Sequence, residues 1–314
     1  MKLIIQIPAY NEEEHLHIAL AALPKKIDGI DCIERVVIND GSQDNTIEAA
    51  KKAGADYVVN LKQNQGLAKA FMAGIDECLK QGADIIVNTD ADNQYCADDI
   101  EKLVKPILDG KADIVIGERP ISATPHFSFI KKALQKIGSW VVRRCSTTNI
   151  PDAPSGFRAI SRDAAMRLNV FSEYTYTIEM IIQAGKKGIA ITSVPIRTNA
   201  DLRPSKLLKS IPSYIKNSLF TMIRVRNTYK PLNFFMTTGL IPIIIGFGLI
   251  IRWIILFMGK TPGLHIPSLV LAAILVLIGF QLMIFGLMAD LISSNRKILE
   301  DIQVKTRKNF YNKK

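Results

Sequence analysis

Asp84-Ile85-Ile86-Val87-Asn88-Thr89-Asp90-Ala91-Asp92-Asn93-Gln94 is the stretch on which the fold turns. Its first half holds a short run of β-branched apolar residues, which predicts a strand over 84–89. The strand runs out into two carboxylates at i and i+2, with an amide two positions further on. An all-oxygen cluster of this kind suits a hard divalent cation, Mg2+ or Mn2+, held jointly by protein and substrate phosphates. A lone D-x-D triplet is weak evidence for a metal site. Its weight here comes from position, because open α/β sheets bind ligands beyond the carboxyl ends of their strands.

The rest of residues 1–202 supplies such a sheet. Short apolar runs near 3–7, 35–39, 56–59, 84–89, 113–116 and 189–194 alternate with helical periodicity near 12–22, 44–53, 66–80, 97–108, 128–145 and 176–187. This βαβ order predicts an α/β domain with a mainly parallel sheet covered by helices on both faces. The first strand ends in Pro8-Ala9-Tyr10-Asn11-Glu12 and the second in Asn39-Asp40-Gly41-Ser42-Gln43-Asp44-Asn45-Thr46. Asp40 can accept bonds from a ribose or a base edge, and Gly41 lets the backbone approach closely. Asp44 also suits the N-cap of the next helix. No G-x-G-x-x-G follows the first strand, which disfavours a dinucleotide-dependent enzyme.

The chain has 314 residues and a formal charge of +11, with 48% apolar and 22% charged residues. That composition excludes a disordered or disulfide-stapled chain. The charge invites a nucleic-acid reading, which its distribution removes. Residues 1–202 carry 24 Lys and Arg against 26 Asp and Glu, whereas residues 203–230 carry seven basic side chains and no acid. Residues 296–314 carry seven more against Glu300 and Asp301.

Between the basic flanks lie apolar runs at about 232–258 and 264–289, each long enough to cross a hydrocarbon core of about 30 Å. They predict a transmembrane hairpin with a short linker around Lys260. The positive-inside rule then places residues 1–230 and the tail in the cytoplasm, as an integral multi-pass membrane protein. The apolar start at Leu3–Ile7 is too short for a signal peptide. Leu207, Ile211, Ile215, Leu219 and Phe220, set among cations, predict short interfacial helices against anionic lipid. The resulting domains are 1–202, a basic juxtamembrane segment 203–231, the hairpin 232–290 and a basic tail 291–314. Gly239, Gly246, Gly248, Gly279 and Gly286 permit close helix packing within a protomer or in a homo-oligomer. Four cysteines lack C-x-x-C spacing and read as reduced thiols; four histidines lack metal-ligand spacing.

The motifs P-A-Y-N-E, N-D-G-S-Q-D-N-T, N-Q-G-L-A-K-A, D-A-D-N-Q and D-A-P-S-G-F-R, in this order, resemble the inverting family 2 glycosyltransferases with a GT-A fold. With the hairpin, the chain is most similar to the polyprenyl-phosphate glycosyltransferases, such as dolichyl-phosphate mannose synthases and undecaprenyl-phosphate enzymes. The resemblance covers nearly the whole chain. It implies a Rossmann-like GT-A catalytic domain that moves a hexose-type sugar from a UDP- or GDP-sugar to a membrane polyprenyl phosphate, with Mg2+ or Mn2+.

By that resemblance, Pro8, Ala9, Tyr10 and Glu12 would line the nucleoside and Asp40 would bind it, with Gln65, Gly66 and Lys69 beside the donor. Asp90, Asp92 and Gln94 would hold the metal on the diphosphate, with Ala91 contributing backbone. Asp152, Ser155, Gly156, Phe157 and Arg158 match the loop near the sugar and acceptor. Arg119, and Arg203 with Ser205 and Lys206, match acceptor-side elements. The family's usual D-D-G-S appears here as N-D-G-S, so one carboxylate is missing.

A lipid phosphate has a second pKa of about 6, so it is already nucleophilic at neutral pH and needs no strong base. Cations must hold it in line with the donor: Arg119, Lys131, Lys132 and Arg203 are the candidates. Lys131 and Lys132 also suit a solvated helix face. Asp152 could orient the acceptor or a sugar hydroxyl, and Glu179 could bind a sugar hydroxyl or be structural. A processive polysaccharide synthase is disfavoured because no Q-x-x-R-W motif is present. A non-catalytic scaffold is disfavoured by the intact Asp90, Asp92 and Gln94.

Overall fold

The computed structural model describes residues 1–120, 139, 142–143, 146, 148–170, 176–199, 231–259 and 266–311. The chain divides into two compact units, Met1–Met222 with Val304–Lys314, and Ile223–Gln303.

In the first unit the elements run β1 (Lys2–Ala9), α1 (Leu16–Ala22), β2 (Cys32–Asn39), α2 (Thr46–Lys52), β3 (Tyr57–Asn60), α3 (Leu67–Lys80) and β4 (Ile85–Asn88). A 3-10 turn at Ala97–Asp99 leads into α4 (Ile100–Leu108), followed by β5 (Ile114–Glu118), β6 (Arg158–Ser161), α5 (Arg162–Arg167), α6 (Tyr176–Lys187) and β7 (Ile191–Pro195). Leu3, Ile4, Ile5 and Ile7 are all fully buried, as a strand covered on both faces requires. The sheet order is β3-β2-β1-β4-β6-β5-β7, with β6 antiparallel to both neighbours and the other pairs parallel. The chain winds outward from β1 to β3 and then returns to lay β4 on the other side of β1. Carboxyl ends that flank such a reversal open a crevice, and here they belong to β1 and β4.

Three elements, β6, α1 and α5, differ from the periodicity, which contains no helix over 162–167. β6 is absent from it because its residues, Arg158-Ala159-Ile160-Ser161, mix charge and apolarity without alternation; pairing between β4 and β5 makes it a strand. α1 starts at Leu16 rather than near residue 12. Its preceding backbone is diverted to side chains of the next loop: the Asn11, Glu12 and Glu13 N–H groups donate to Ser42 Oγ, Thr46 Oγ1 and Asp44 Oδ2 at 2.9, 3.0 and 3.1 Å. α5 is capped by Ser161, whose Oγ accepts the Ala164 N–H at 3.2 Å. The helix expected near 128–145 and the interfacial segment 203–230 lie largely or wholly outside the described residues.

The second unit holds α7 (Pro231–Met258) and α8 (Ile266–Tyr311) up to Gln303. Both leave large apolar side chains exposed, among them Ile255 at 65% and Leu277 at 63%, which a helix of a water-soluble core does not do. Their glycines meet within the chain: a Cβ on Gly239 would stand 2.8 Å from the Gly279 carbonyl, and one on Gly246 2.8 Å from Val276. This contact accounts for the small residues without a second protomer; Gly248 faces open space. The last turns of α8 belong to the first unit. There Arg307 Nη2 donates to Asp76 at 3.0 Å, Nη1 donates to the Leu168 carbonyl at 3.0 Å, and Lys308 pairs with Asp163.

The fit of α3 on the sheet generates a test. Gln6 is a fully buried polar residue in β1, and a Cβ on Gly74 of α3 would lie 2.4 Å from its Oε1. Alanine normally gains about 1 kcal/mol over glycine in a helix, while overpacking costs about 1–3 kcal/mol. Gln6 cannot retreat because it is hydrogen-bonded to Asn88, so the clash wins. Gly74→Ala is expected to lower the thermal midpoint of the purified protein by about 2–8 °C; an unchanged or raised midpoint would contradict this packing.

Candidate active site

The loops after β1 and β2 are zipped together by side chains. Besides the bonds that delay α1, Asn11 Oδ1 accepts the Gln43 N–H at 2.9 Å and Glu13 accepts from the Asn45 backbone and amide. Tyr10 stands exposed at this edge, whereas Pro8, Ala9 and Glu12 are buried. Asp40 is buried too. Its two oxygens accept the N–H groups of Gln65 and Gly66 at 2.8 and 2.9 Å, so it fixes the loop that opens α3 and presents Lys69 to solvent on the first turn. A carboxylate keeps further lone pairs after two such bonds. Gly41 is required: its φ is +67°, and a Cβ would lie 2.3 Å from the Gln63 backbone.

The missing carboxylate of the N-D-G-S motif has a local explanation. Asn39 Nδ2 donates to Asn60 Oδ1 at 2.8 Å while its Oδ1 accepts the Ser42 N–H at 3.2 Å. An aspartate could fill only the second of these roles against the same Asn60 oxygen.

Beyond β4 the chain turns sharply through Asn93, at φ +54° in the left-handed region. Asp92 accepts the Gln94 N–H at 3.1 Å, which closes the turn. Asp90 stands beside it, half-buried. Burial first, and the neighbouring Asp92 carboxylate second, push Asp90 up to about 7, against the pull of Arg119, the Tyr95 hydroxyl and Arg158. Two neighbouring carboxylates, with no lysine on the turn, fit a divalent cation. Among the described residues no group of three or more His, Cys, Asp and Glu forms a closed cage. The donor set therefore suits an ion that takes its remaining oxygens from a substrate diphosphate and water.

The loop before β6 closes the other side. Asp152 is fully buried and meets Arg119 in a two-pronged pair, with Nε to Oδ2 at 2.8 Å and Nη2 to Oδ1 at 3.0 Å. The Arg119 N–H donates to the same carboxylate at 3.2 Å. The two residues expected separately at the acceptor are thus one unit. Gly156 packs against the metal turn: a Cβ there would lie 3.1 Å from Asp90. Ser155 is fully buried beside it, with no partner for its hydroxyl among the described residues.

Arg158 departs from expectation. It is fully buried and spends its guanidinium on the carbonyls of Ser155, Thr177 and Ala153 at 2.8, 2.9 and 2.9 Å, with Tyr176 5.5 Å away. Burial pulls it down to about 10, so it remains a cation at neutral pH and shapes the loop from within rather than touching substrate. Glu179 is buried on α6, where Gln183 donates to it at 3.2 Å. Lys131, Lys132, Arg203, Ser205 and Lys206 lie outside the described residues.

The residues that sequence reading missed are those behind the site. Gln6 Nε2 donates to Asn88 Oδ1 at 2.9 Å; Asn88 Nδ2 donates to the Gly156 carbonyl and Tyr176 Oη, both at 2.9 Å. Tyr95 Oη accepts the Gly156 N–H at 3.1 Å, and its ring stacks on Phe157 at 4.9 Å. Their one sequence signal was the polar residues Gln6 and Asn88 inside otherwise apolar strands.

Comparison with known proteins gives the family and the fold. A family model described as Glycosyl transferase family 2 matches residues 4–168. UDP-N-acetylglucosamine–dolichyl-phosphate N-acetylglucosaminyltransferase of Methanococcus voltae is 31% identical over 218 residues, covering 61% of this chain and 83% of that protein. Dolichol-phosphate mannosyltransferase of Pyrococcus furiosus is 27% identical over 271 residues, covering 82% and 74%. Glucosyl-3-phosphoglycerate synthase of Mycobacterium tuberculosis, solved with Mn2+, UDP and glucosyl-3-phosphoglycerate, shares the fold with a TM-score of 0.55 at 20% identity, covering 70% and 79%.

Three expectations follow. Because Asp90 in the fold sits above an ordinary carboxylate, the unfolded chain gives up this proton first, and the metal-free protein loses stability as pH rises from about 4 to about 7. Mn2+ competes with that proton. Its affinity, followed by electron paramagnetic resonance, should rise by up to about tenfold per pH unit to about pH 7 and then level off; a flat profile would contradict this. Asp152→Ala strands Arg119 in the interior and should cost about 3–5 kcal/mol in denaturant unfolding, with Asp152→Asn costing less.

Proposed function

The chain belongs to glycosyl transferase family 2, and from that membership we propose that it transfers a hexose-type sugar, with inversion, from a UDP- or GDP-sugar to a membrane polyprenyl phosphate. The chain is a glycosyltransferase. The observation that carries it is that one chain joins the carboxylate pair Asp90 and Asp92, at the reversal point of its sheet, to two apolar helices of membrane-spanning length. Relatives named for dolichyl-phosphate and undecaprenyl-phosphate substrates support the acceptor class.

In this reading Tyr10, Asp40 and the Gln65–Gly66 loop receive the nucleoside, with Pro8, Ala9 and Glu12 forming the floor beneath it. Asp90, Asp92 and Gln94 hold Mg2+ or Mn2+ against the donor diphosphate. The ion, when bound, compensates the charge that grows on the departing diphosphate. Arg119 has five N–H donors and uses two on Asp152, which fixes its plane and leaves three for the acceptor phosphate. Lys131, Lys132, Arg203, Ser205 and Lys206 complete the acceptor side. Ser155 Oγ, buried beside Gly156, offers a hydroxyl to the sugar.

The reaction then needs no base among these residues. One oxygen of the lipid phosphate dianion bonds to the anomeric carbon on the face opposite the diphosphate, and the bond to the diphosphate breaks, releasing UDP or GDP. The protein contributes alignment of two anions that would otherwise repel. The basic flanks of the helices support, by the positive-inside rule, a cytoplasmic catalytic domain and tail, with residues 203–230 attracted to anionic lipid.

The test is to incubate the purified protein with polyprenyl phosphate, Mg2+ or Mn2+, and labelled UDP- and GDP-sugars. Label should pass to lipid from one class of donor, and Asp92→Ala should cut the rate at least about a hundredfold. No lipid-linked label from any donor would overturn the acceptor, and full activity of Asp92→Ala would overturn the metal.

A further inference from the structure

The metal turn is short, left-handed at Asn93 and burdened with two carboxylates, so something must hold its shape. Its own hydrogen bond, Gln94 N–H to Asp92, spans two residues only. Besides the contacts of Tyr95 with Gly156 and Phe157, support comes from the segment that follows β7. Asn199 Nδ2 donates to the Asn93 carbonyl at 2.9 Å and to the Tyr95 carbonyl at 3.3 Å, and its backbone N–H donates to the Gln94 carbonyl at 2.9 Å. One residue thus holds three consecutive carbonyls of the turn. Thr198 pairs with Tyr95 in an antiparallel bridge, and the Cys96 N–H donates to the Arg197 carbonyl at 3.2 Å.

The segment is itself latched. Asp99, fully buried at the start of α4, takes the Arg197 N–H at 2.6 Å and the Arg197 Nε and Nη2 at 3.1 and 2.9 Å. Lys102 adds a second cation to the same carboxylate at 2.9 Å. Asn199 is therefore presented to the turn by a segment latched to the start of α4.

We propose that Asn199 is a positioning residue for the metal: by fixing the Asn93, Gln94 and Tyr95 carbonyls it sets the turn so that Asp90 and Asp92 meet one ion. This rests on the reading of those carboxylates as metal ligands. A side-chain amide suits the task because Nδ2 donates to two carbonyls at once, where a carboxylate would present only acceptors.

The experiment compares wild-type protein, Asn199→Ala and Asp92→Asn in Mn2+ titrations followed by electron paramagnetic resonance, alone and with UDP or GDP. Binding of UDP and GDP without metal is measured in parallel. Wild type should bind Mn2+, Asp92→Asn should not, and Asn199→Ala should bind about tenfold or more weakly, with a broadened bound-ion spectrum and unchanged metal-free nucleotide binding. Asn199 is exposed, so its truncation leaves the core untouched. Wild-type Mn2+ affinity in Asn199→Ala overturns the inference, as does an equal loss of metal and metal-free nucleotide binding, which marks a merely structural role. Failure of wild type itself to bind Mn2+ overturns the metal reading and the inference with it.

Discussion

The burial of Asp90 beside the Asp92 carboxylate is the constraint around which the rest of the site is arranged. Burial first, and the neighbouring carboxylate second, push Asp90 up to about 7. A fold that tolerates this arrangement must hold it from outside the pair. The Tyr95 hydroxyl and Arg119 draw Asp90 toward its ionised form, and Asp152 in turn holds Arg119 in its plane. None of these neighbours removes the charge surplus. In the proposed reading a divalent cation on the donor diphosphate would meet that surplus.

Rigidity behind the pair comes from polar groups in an apolar sheet. Gln6, Asn88 and Tyr176 form a buried chain that ends on the Gly156 carbonyl, while Tyr95 takes the N–H of the same glycine. Arg158 completes the frame by binding three carbonyls around the loop it terminates. A buried network of this kind is stable only when its members are satisfied, and it then specifies one geometry. The loop at 152–158 and the turn at 90–95 are thereby held against the same strand, β4, which explains why the antiparallel β6 sits next to it.

Much of this was legible in the sequence, and the reason is period and position. Leu3–Ile7, Val36–Ile38 and Ile85–Val87 are apolar runs of strand length, so the parallel sheet and the carboxyl-end loops could be located before any coordinates. Asp90, Asp92 and Asp40 stood out because carboxylates at strand ends have few structural uses. Partnership was not legible. Nothing in residues 119 and 152 announces that they form one ion pair, since the contact spans 33 positions and is made by tertiary packing. Arg158 was drawn to the sugar and acceptor only by the resemblance of its loop; its full burial and its three carbonyl partners are visible in the structure alone. β6 was hidden because its strand character is imposed by its neighbours rather than by its own residues.

The charge of the chain follows the same division of labour. The catalytic residues lie in a slightly acidic stretch built to receive a cation, while the cations flank two apolar helices whose surfaces are exposed as lipid-facing surfaces are. The central claim is that Asp90 and Asp92 bring a divalent ion into direct contact with the donor diphosphate. Pulsed electron–nuclear double resonance on the Mn2+-loaded protein with UDP or GDP tests it most directly. The account predicts strong phosphorus coupling to a protein-bound ion, lost from the protein in Asp92→Asn; a nucleotide bound to the protein without phosphorus coupling to the ion would contradict it.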